Sequence, residues 1–425
     1  MSSFNMNSVN KGKINAVIIL WDFIVLWYYF FSASIKLRPF ASLIWIALVV
    51  IGAIIFNVRL IKIDRYLKLC LFAVLILFLS VLFSVDKADS LKYAFSILLY
   101  LAVAYEICSS YENIVVFLKL AIPFVIVHCV IMLIQIARPD LYISLFLPLL
   151  PREFQYRILG FMARGAFTGF TNQTSSIADI LGLSVGILIY HSRYKQGLQK
   201  WMYLIISIIC ILLLGLTERR WSTVVVLVLM LFAISTLVHN RIIKTLIFCV
   251  AIALGVSGVL SSLSSSQSII NKMISEVNAG DVTNGRISIW SQTIELIKNR
   301  PFTGYGANTF QSLIPNEANA HNSFLQAWLE LGLFGAIIFF LPFFYGIHKT
   351  IQVYRLRDRL EEKYVALVFF SLYWQLYCML DAIFESFFSS ELSVFMLFFA
   401  QLILIREKQC YEMSADNLVS HNEYT

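Results

Sequence analysis

Arg152, Arg157, Arg164, Arg219, Arg220, Arg286 and Arg300 fall in the stretches between long apolar runs, and so does His321. A guanidinium is planar, permanently charged and matches phosphate oxygens two at a time. A neutral imidazole can take a proton from a hydroxyl near neutral pH. Fixed cations beside one base are suited to displacing a phosphate-type leaving group, because the cations stabilise the departing charge. A single arginine at the edge of an apolar run more often anchors headgroups or pairs within a loop. A lone histidine more often serves as a structural hydrogen-bonding residue. The setting of these residues, not their type, raises them to candidates. The other histidines are set differently: His128 within an apolar run, His191, His239 and His348 at the opposite ends of runs, and His421 near the last residue.

Other chemistries have less support. No Asp-x-Asp or His-Glu-x-x-His pattern occurs, and the carboxylates near the candidates are scattered: Glu153, Glu276, Asp281, Glu295 and Glu317. A sugar-nucleotide transferase that uses Mg²⁺ would want them clustered. The sequence therefore predicts neither a metal nor another cofactor. No glycine-rich phosphate loop argues for ATP hydrolysis. Cys70, Cys108, Cys129, Cys210, Cys249, Cys378 and Cys410 lie in apolar runs or at one side of them, without a C-x-x-C, so no disulfide framework is expected. No basic run interleaved with aromatics suggests nucleic acid.

What must position the candidates is a membrane bundle. The chain is 59% hydrophobic and 14% charged, against roughly 25% charged in a soluble domain. Its mean hydropathy is +0.78. The apolar residues come in blocks about as long as a bilayer core is thick. The expected fold is all-α and polytopic, with about twelve transmembrane helices. They are placed near 14–31, 39–56, 66–84, 92–108, 114–137, 176–190, 201–216, 222–238, 242–259, 322–346, 364–380 and 388–405. The polar start with Lys11 and Lys13 precedes an apolar run without a small-residue cleavage site, which reads as a retained first helix.

Lysine and arginine set the orientation. With the N-terminus inside, the inside segments hold most of them, among them Lys13, Arg65, Arg193, Lys200, Arg355 and Arg406. The short outside loops hold few: Lys36, Arg38, Lys87, Lys92, Arg219 and Arg220. Both termini are therefore expected inside, and the net charge of +8 reads as topology and attraction to anionic lipid. The expected organisation is helices one to nine over 1–259 with an outside loop at 138–175, a large outside loop over 260–321, helices ten to twelve over 322–405, and an inside tail over 406–425.

The large loop opens with a serine-rich stretch from Ser261 to Ser268. Ile287, Trp290, Ile294 and Ile297 then recur at helical spacing, which predicts one apolar helix face. Asn299-Arg300-Pro301 ends that helix, and Gly304-Tyr305-Gly306-Ala307-Asn308 predicts a tight turn. His321-Asn322 stands at the mouth of the tenth span. Asp22, Glu106, Lys119, Asp179 and Glu330 fall within or near spans, where charge is costly. Asp381 and Glu385 lie four apart at the last outside turn, placed to contact sugar hydroxyls, to pair with outside arginines or to join helices.

The stretch from Asn284-Gly-Arg286 through Trp290 and Pro301-x-x-Gly304-x-Gly306, followed by His321-Asn322 and Gly332-x-x-Gly335, resembles the signature of the O-antigen ligase and polymerase superfamily. These motifs cover about 50 residues, and the expected topology is similar over the whole chain. Arg164-Gly-Ala-Phe-Thr-Gly-Phe-Thr-Asn172-Gln resembles a family stretch that ends in Asn-Pro, with Gln173 in place of the proline. Thr217-Glu-Arg-Arg220 is similar to a Thr-x-Ser-Arg motif, with Arg219 at the serine position.

The resemblance implies metal-independent, inverting glycosyl transfer at the periplasmic face of a bacterial inner membrane. The implied donor is an undecaprenyl-diphosphate-linked glycan, with a glycan or lipid A-core acceptor and a chain-length regulator as a further partner. His321 is the implied base, and Arg286 and Arg220 the diphosphate clamp. Arg219, Arg164, Asn172, Asn322 and Arg300 are implied to support substrate binding. Polymerisation of lipid-linked repeat units for O-antigen, capsule or exopolysaccharide is the first expectation. Ligation of O-antigen to lipid A-core is the second. A flippase for the lipid-linked unit is a third, weakened because the polar signal concentrates in outside loops, with only one half carrying a large one, and not in matching broken helices.

Overall fold

The computed structural model describes residues 16–31, 41–55, 65–237, 286–315, 319–386 and 393–403. The described residues are helical, and no strand occurs among them. In chain order the helices are α1 (Ala16–Phe31), α2 (Ala41–Ile55), α3 (Arg65–Ser80), α4 (Lys87–Ile107), α5 (Tyr111–Ala137), α6 (Pro139–Leu145), α7 (Arg152–Met162), α8 (Thr174–Tyr194), α9 (Gly197–Gly215), α10 (Arg220–Leu237), α11 (Arg286–Asn299), α12 (Phe310–Leu313), α13 (Ser323–Arg355) and α14 (Glu362–Asp381). A further helix, α15, runs over Ser393–Ile403. Asp86, Ser110 and Asn322 cap α4, α5 and α13 by accepting the backbone N–H three residues on, which fixes where those helices begin.

Among the described residues, seven helices are long and apolar enough to cross a membrane. The chain is thus a multi-pass helical membrane protein, and helices stand near each expected span except 242–259, which lies outside the described residues, as do Ser261–Ser268 and 406–425. Exposed apolar stripes follow from the lipid solvent: Phe334, Ile337, Leu341 and Phe344 lie open along one face of α13. α8 and α14 form the centre, with 83% and 78% of their spans buried, whereas α9, at 22%, lies at the edge. α8 packs on α9, α10 and α14, while α3 packs on α4 and α13. Asp179 of α8 accepts from the Tyr377 hydroxyl of α14 and the Ser393 hydroxyl of α15, both at 3.2 Å, so this buried charge joins helices.

The tenth expected span proves to be interrupted. Gly332 within α13 has φ 71° and ψ 170°, which breaks the helical ladder in an apolar setting. Backbone groups freed there need protein partners, since lipid offers none. The turn after α11 supplies them. Leu333 N donates to Pro301 O at 2.9 Å, and Gly306 N donates to Glu330 O at 2.8 Å. The buried Glu330 carboxylate accepts from Asn308 N at 2.8 Å, Phe310 N at 3.3 Å and Gln326 Nε2 at 3.0 Å. A Cβ on Gly332 would sit 2.0 Å from Phe302 O, and one on Gly304 would sit 2.4 Å from Glu330 O. The glycines of the signature are therefore the places where a turn backbone enters a broken helix.

The apolar face of α11 is not its buried one. Its buried face is Ile289, Thr293 and Ile297, while Ile287 and Ile294 are exposed. Thr293 is accommodated because its hydroxyl donates to Ile289 O at 2.7 Å. Trp290 is partly buried, with its indole N–H on Ala320 O at 2.8 Å.

The broken helix gives a direct test. Gly332→Ala should destabilise the protein by more than about 2 kcal/mol, from positive φ and the clash together. Gly160→Ala in α7, where a Cβ would meet nothing within 4 Å, should be neutral or slightly stabilising. Thermal unfolding of the two detergent-purified variants checks this. Equal melting temperatures would show that the turn does not depend on the glycine.

Candidate active site at a shared carboxylate

Several connecting segments meet at one end of the bundle. Phe167 N donates to Leu216 O at 3.1 Å, Val85 N to Tyr305 O at 2.9 Å, and Ser323 N to Ala382 O at 2.8 Å. In this region the Glu385 carboxylate is the hub. Its Oε1 accepts from Arg219 Nη1 at 2.8 Å and from Arg286 Nη2 at 3.0 Å. Its Oε2 lies 3.3 Å from His321 Nδ1. The four side chains come from four separate stretches of chain: the entry to α10, the first turn of α11, the entry to α13, and the turn after α14.

Both arginines and the turn that carries Glu385 are held in place by further contacts. Arg219 Nε donates to the Thr174 hydroxyl at 3.2 Å. Arg286 Nη1 donates to Phe384 O at 2.8 Å. The turn after α14 is fixed by Ser323 Oγ on Glu385 O at 2.9 Å, Asn322 Nδ2 on Ile383 O at 3.0 Å, and Trp221 Nε1 on Leu380 O at 2.9 Å. Below it, Ser222 Oγ donates to Asp381 Oδ1 at 2.8 Å. His321 and Glu218, the residue before Arg219, both adopt positive φ, at 48° and 61°. Left-handed backbone at non-glycine residues costs energy and persists where surroundings enforce it.

The electrostatics are cationic with one internal anion. α8, α10, α11 and α13 all begin at this cluster, so four positive helix ends converge with two guanidinium groups. Burial of Glu385 favours its neutral form, but the hydrogen bond from His321 and the charges of Arg219 and Arg286 outweigh it and hold the carboxyl down at about 2. A carboxylate can only accept, so the neutral imidazole facing it has its proton on Nδ1 and its lone pair on Nε2. The imidazole is 26% exposed, which leaves it reachable by a substrate. Among the described residues, no group of three His, Cys, Asp or Glu side chains gathers as a metal site.

The residues singled out from the sequence divide accordingly. Arg219, Arg286 and His321 meet at Glu385, and Asn322 caps α13 beside them. Arg220 starts α10, and its side chain lies outside the described residues. Asn172 is buried, and its Oδ1 accepts from Ser176 Oγ at 3.3 Å near the start of α8. Arg164 is exposed over the Phe161 ring, its Nε on Gly160 O at 3.3 Å. Arg300 packs over the Tyr305 ring and donates to Phe83 O, away from the carboxylate. Among the roles the sequence left open for Glu385, pairing with arginines is what the fold uses. Thr174 and Ser222 carried no signal at all, because a hydroxyl near a helix start is common.

Comparison with known proteins agrees with the motifs. A family model described as O-antigen ligase matches residues 204–340, a segment that contains Arg219, Arg286 and His321. An uncharacterised protein of Haemophilus influenzae is 23% identical over 190 residues, which cover 39% of this chain. That match spans 47% of the relative's own length.

The depressed Glu385 carboxyl predicts a pH signature. Its stabilisation is present above the ordinary glutamate value and is lost as pH falls through about 2. Neutralising it with Glu385→Gln should cost about 3 kcal/mol at pH 7. The gap in melting temperature between wild type and variant should stay constant down to about pH 5 and narrow below about pH 4. A gap independent of pH would mean that the carboxylate charge does not hold the cluster.

Proposed function

Because residues 204–340 match the O-antigen ligase family, we propose that this chain is a glycosyltransferase working from an undecaprenyl-diphosphate-linked glycan at the periplasmic face of the inner membrane. The observation that carries the reading is the Glu385 cluster. Two guanidinium groups and one imidazole share a single carboxylate. Arg219 and Arg286 bind the diphosphate with the N–H groups that Glu385, Thr174 and Phe384 do not use, and four helix N-termini add to the anion's stabilisation. Arg220 is the second candidate for the role of Arg219. Asn322 supports the site by capping α13, while Arg164, Asn172 and Arg300 serve outer parts of the glycan.

In the reaction, an acceptor hydroxyl gives its proton to His321 Nε2 while its oxygen attacks the anomeric carbon. The bond from that carbon to the diphosphate oxygen breaks, and the configuration inverts. The charge developing on the diphosphate is met by Arg219 and Arg286, so no metal is needed for the leaving group. Glu385 keeps the imidazole in the tautomer that accepts at Nε2, as the carboxylate does in hydrolase triads.

The first reading of the acceptor is the growing lipid-linked glycan, which makes the enzyme a repeat-unit polymerase for O-antigen, capsule or exopolysaccharide. A second reading, ligation to lipid A-core, is favoured by the description of the matching family. A deletion strain separates them: core carrying one repeat marks loss of a polymerase, and bare core with carrier-linked polymer marks loss of a ligase.

His321→Ala and Arg286→Ala should each abolish long-chain glycan on gels while protein level stays normal. Wild-type glycan lengths in both would sink these roles. Purified enzyme should keep its activity in excess chelator. Loss that Mg²⁺ restores would overturn the metal-free mechanism.

A further inference from the structure

The arrangement around Glu385 does more than orient a histidine. One carboxylate serves two kinds of partner at once: Oε1 is shared by both arginines, and Oε2 faces His321 Nδ1. The carboxylate is only 12% exposed, so water screens these interactions little. One negative charge is therefore divided among three donors. Two full positive charges lie 2.8 and 3.0 Å from it, and the imidazole receives what remains. Asp381 of α14 and Asp179 of α8 also act on Glu385 from below, and both are buried among helices. The Asp381 carboxyl accepts from Ser222 and that of Asp179 from Tyr377 and Ser393, so both are held by the bundle itself.

Resting on the diphosphate role proposed above, we infer that Glu385 is a relay that links occupation of the arginine clamp to the basicity of His321. A diphosphate on Arg219 and Arg286 brings its own negative charge to the guanidinium groups. Their hold on Oε1 is then shared with the ligand, and the carboxylate charge falls more fully on the imidazole. A histidine facing a less neutralised carboxylate favours its protonated form more strongly. It becomes a stronger base at the moment a leaving group is seated. The acceptor hydroxyl, or a water that strays into the site, meets a weaker base while the clamp is empty. The relay orders the reaction with donor first.

The division of contacts makes this specific. Arg219 and Arg286 make no hydrogen bond to His321 among the described contacts, and reach it through the two oxygens of one carboxylate. Glu385 is accordingly a positioning residue, and its effect is read on the histidine, not on the donor.

The test uses the full-length protein in detergent, with ¹³C-histidine labelling and the His321 resonance assigned by its loss in His321→Gln. Farnesyl diphosphate is the probe, and its ³¹P resonance reports binding. With probe bound, the His321 titration midpoint in wild type should move up by about one unit. In Glu385→Gln the probe should still bind, and the move should fall to less than about half. An equal move in both proteins would overturn the relay, because the diphosphate would then act on the histidine directly. Binding with no move in wild type would overturn it as well. Absence of binding to wild type would instead remove the clamp, and the relay with it. Arg219→Gln without ligand provides the control if Glu385→Gln does not fold. Taking one cation from Oε1 should raise the midpoint as the probe does, and an unchanged midpoint would sink the inference.

Discussion

Two guanidinium groups brought within hydrogen-bond reach of one point, at the converging N-termini of four helices, would repel one another without a counter-charge. Glu385 is that counter-charge, and it constrains the rest of this end of the bundle. To stand between Arg219 and Arg286 it must come from a turn pinned on all sides, which explains the contacts of Trp221, Asn322, Ser323 and Arg286 to residues 380–385. The carboxylate also has an oxygen left for His321. Positive field, oriented imidazole and ordered turn are consequences of a single buried charge that had to be satisfied.

The second constraint is the demand that lipid places on backbone polar groups. α13 breaks at Gly332, and the only groups that can satisfy the break are those of protein. The Pro301–Gly306 turn provides them, and Glu330 fastens the rest of the loop through Asn308 and Phe310. This docking ties the segment that follows α11 to α13 through hydrogen bonds around Gly332 and Glu330. The three non-glycine residues with positive φ among the described ones are Glu218, Asn308 and His321. Two of them adjoin or belong to the cluster and the third belongs to the docked turn, so the strained positions gather around the cluster and the turn docked on α13.

Much of the membrane plan was legible in the sequence, because span length and hydropathy are dictated by bilayer thickness. The break in α13 was not, since the motif marks Gly332 without saying what it does, and only the approach of Phe302 O shows why it is there. The buried face of α11 departs from its apolar periodicity for a physical reason. In water, apolar periodicity points to the core, but in a membrane protein apolar side chains meet lipid as readily as protein. Thr293, buried with its hydroxyl turned onto its own helix, left no apolar trace. Arg219 and Arg220 are adjacent, so no spacing argument could decide which guanidinium reaches the carboxylate. The direction of Arg219 comes from the left-handed Glu218 before it and from Thr174 across the bundle.

The sequence by itself determined that this chain is a membrane bundle with arginines and a histidine in its connecting segments, because residue type and hydropathy report directly on solvent and charge. It also carried the motif whose match is the O-antigen ligase family. Which of those cations face one another, and that a single glutamate 64 residues beyond the histidine joins them, was decided by the tertiary structure. Coulomb attraction depends on distance in space. The segments bearing Arg219, Arg286, His321 and Glu385 become neighbours only when the helices between them are packed.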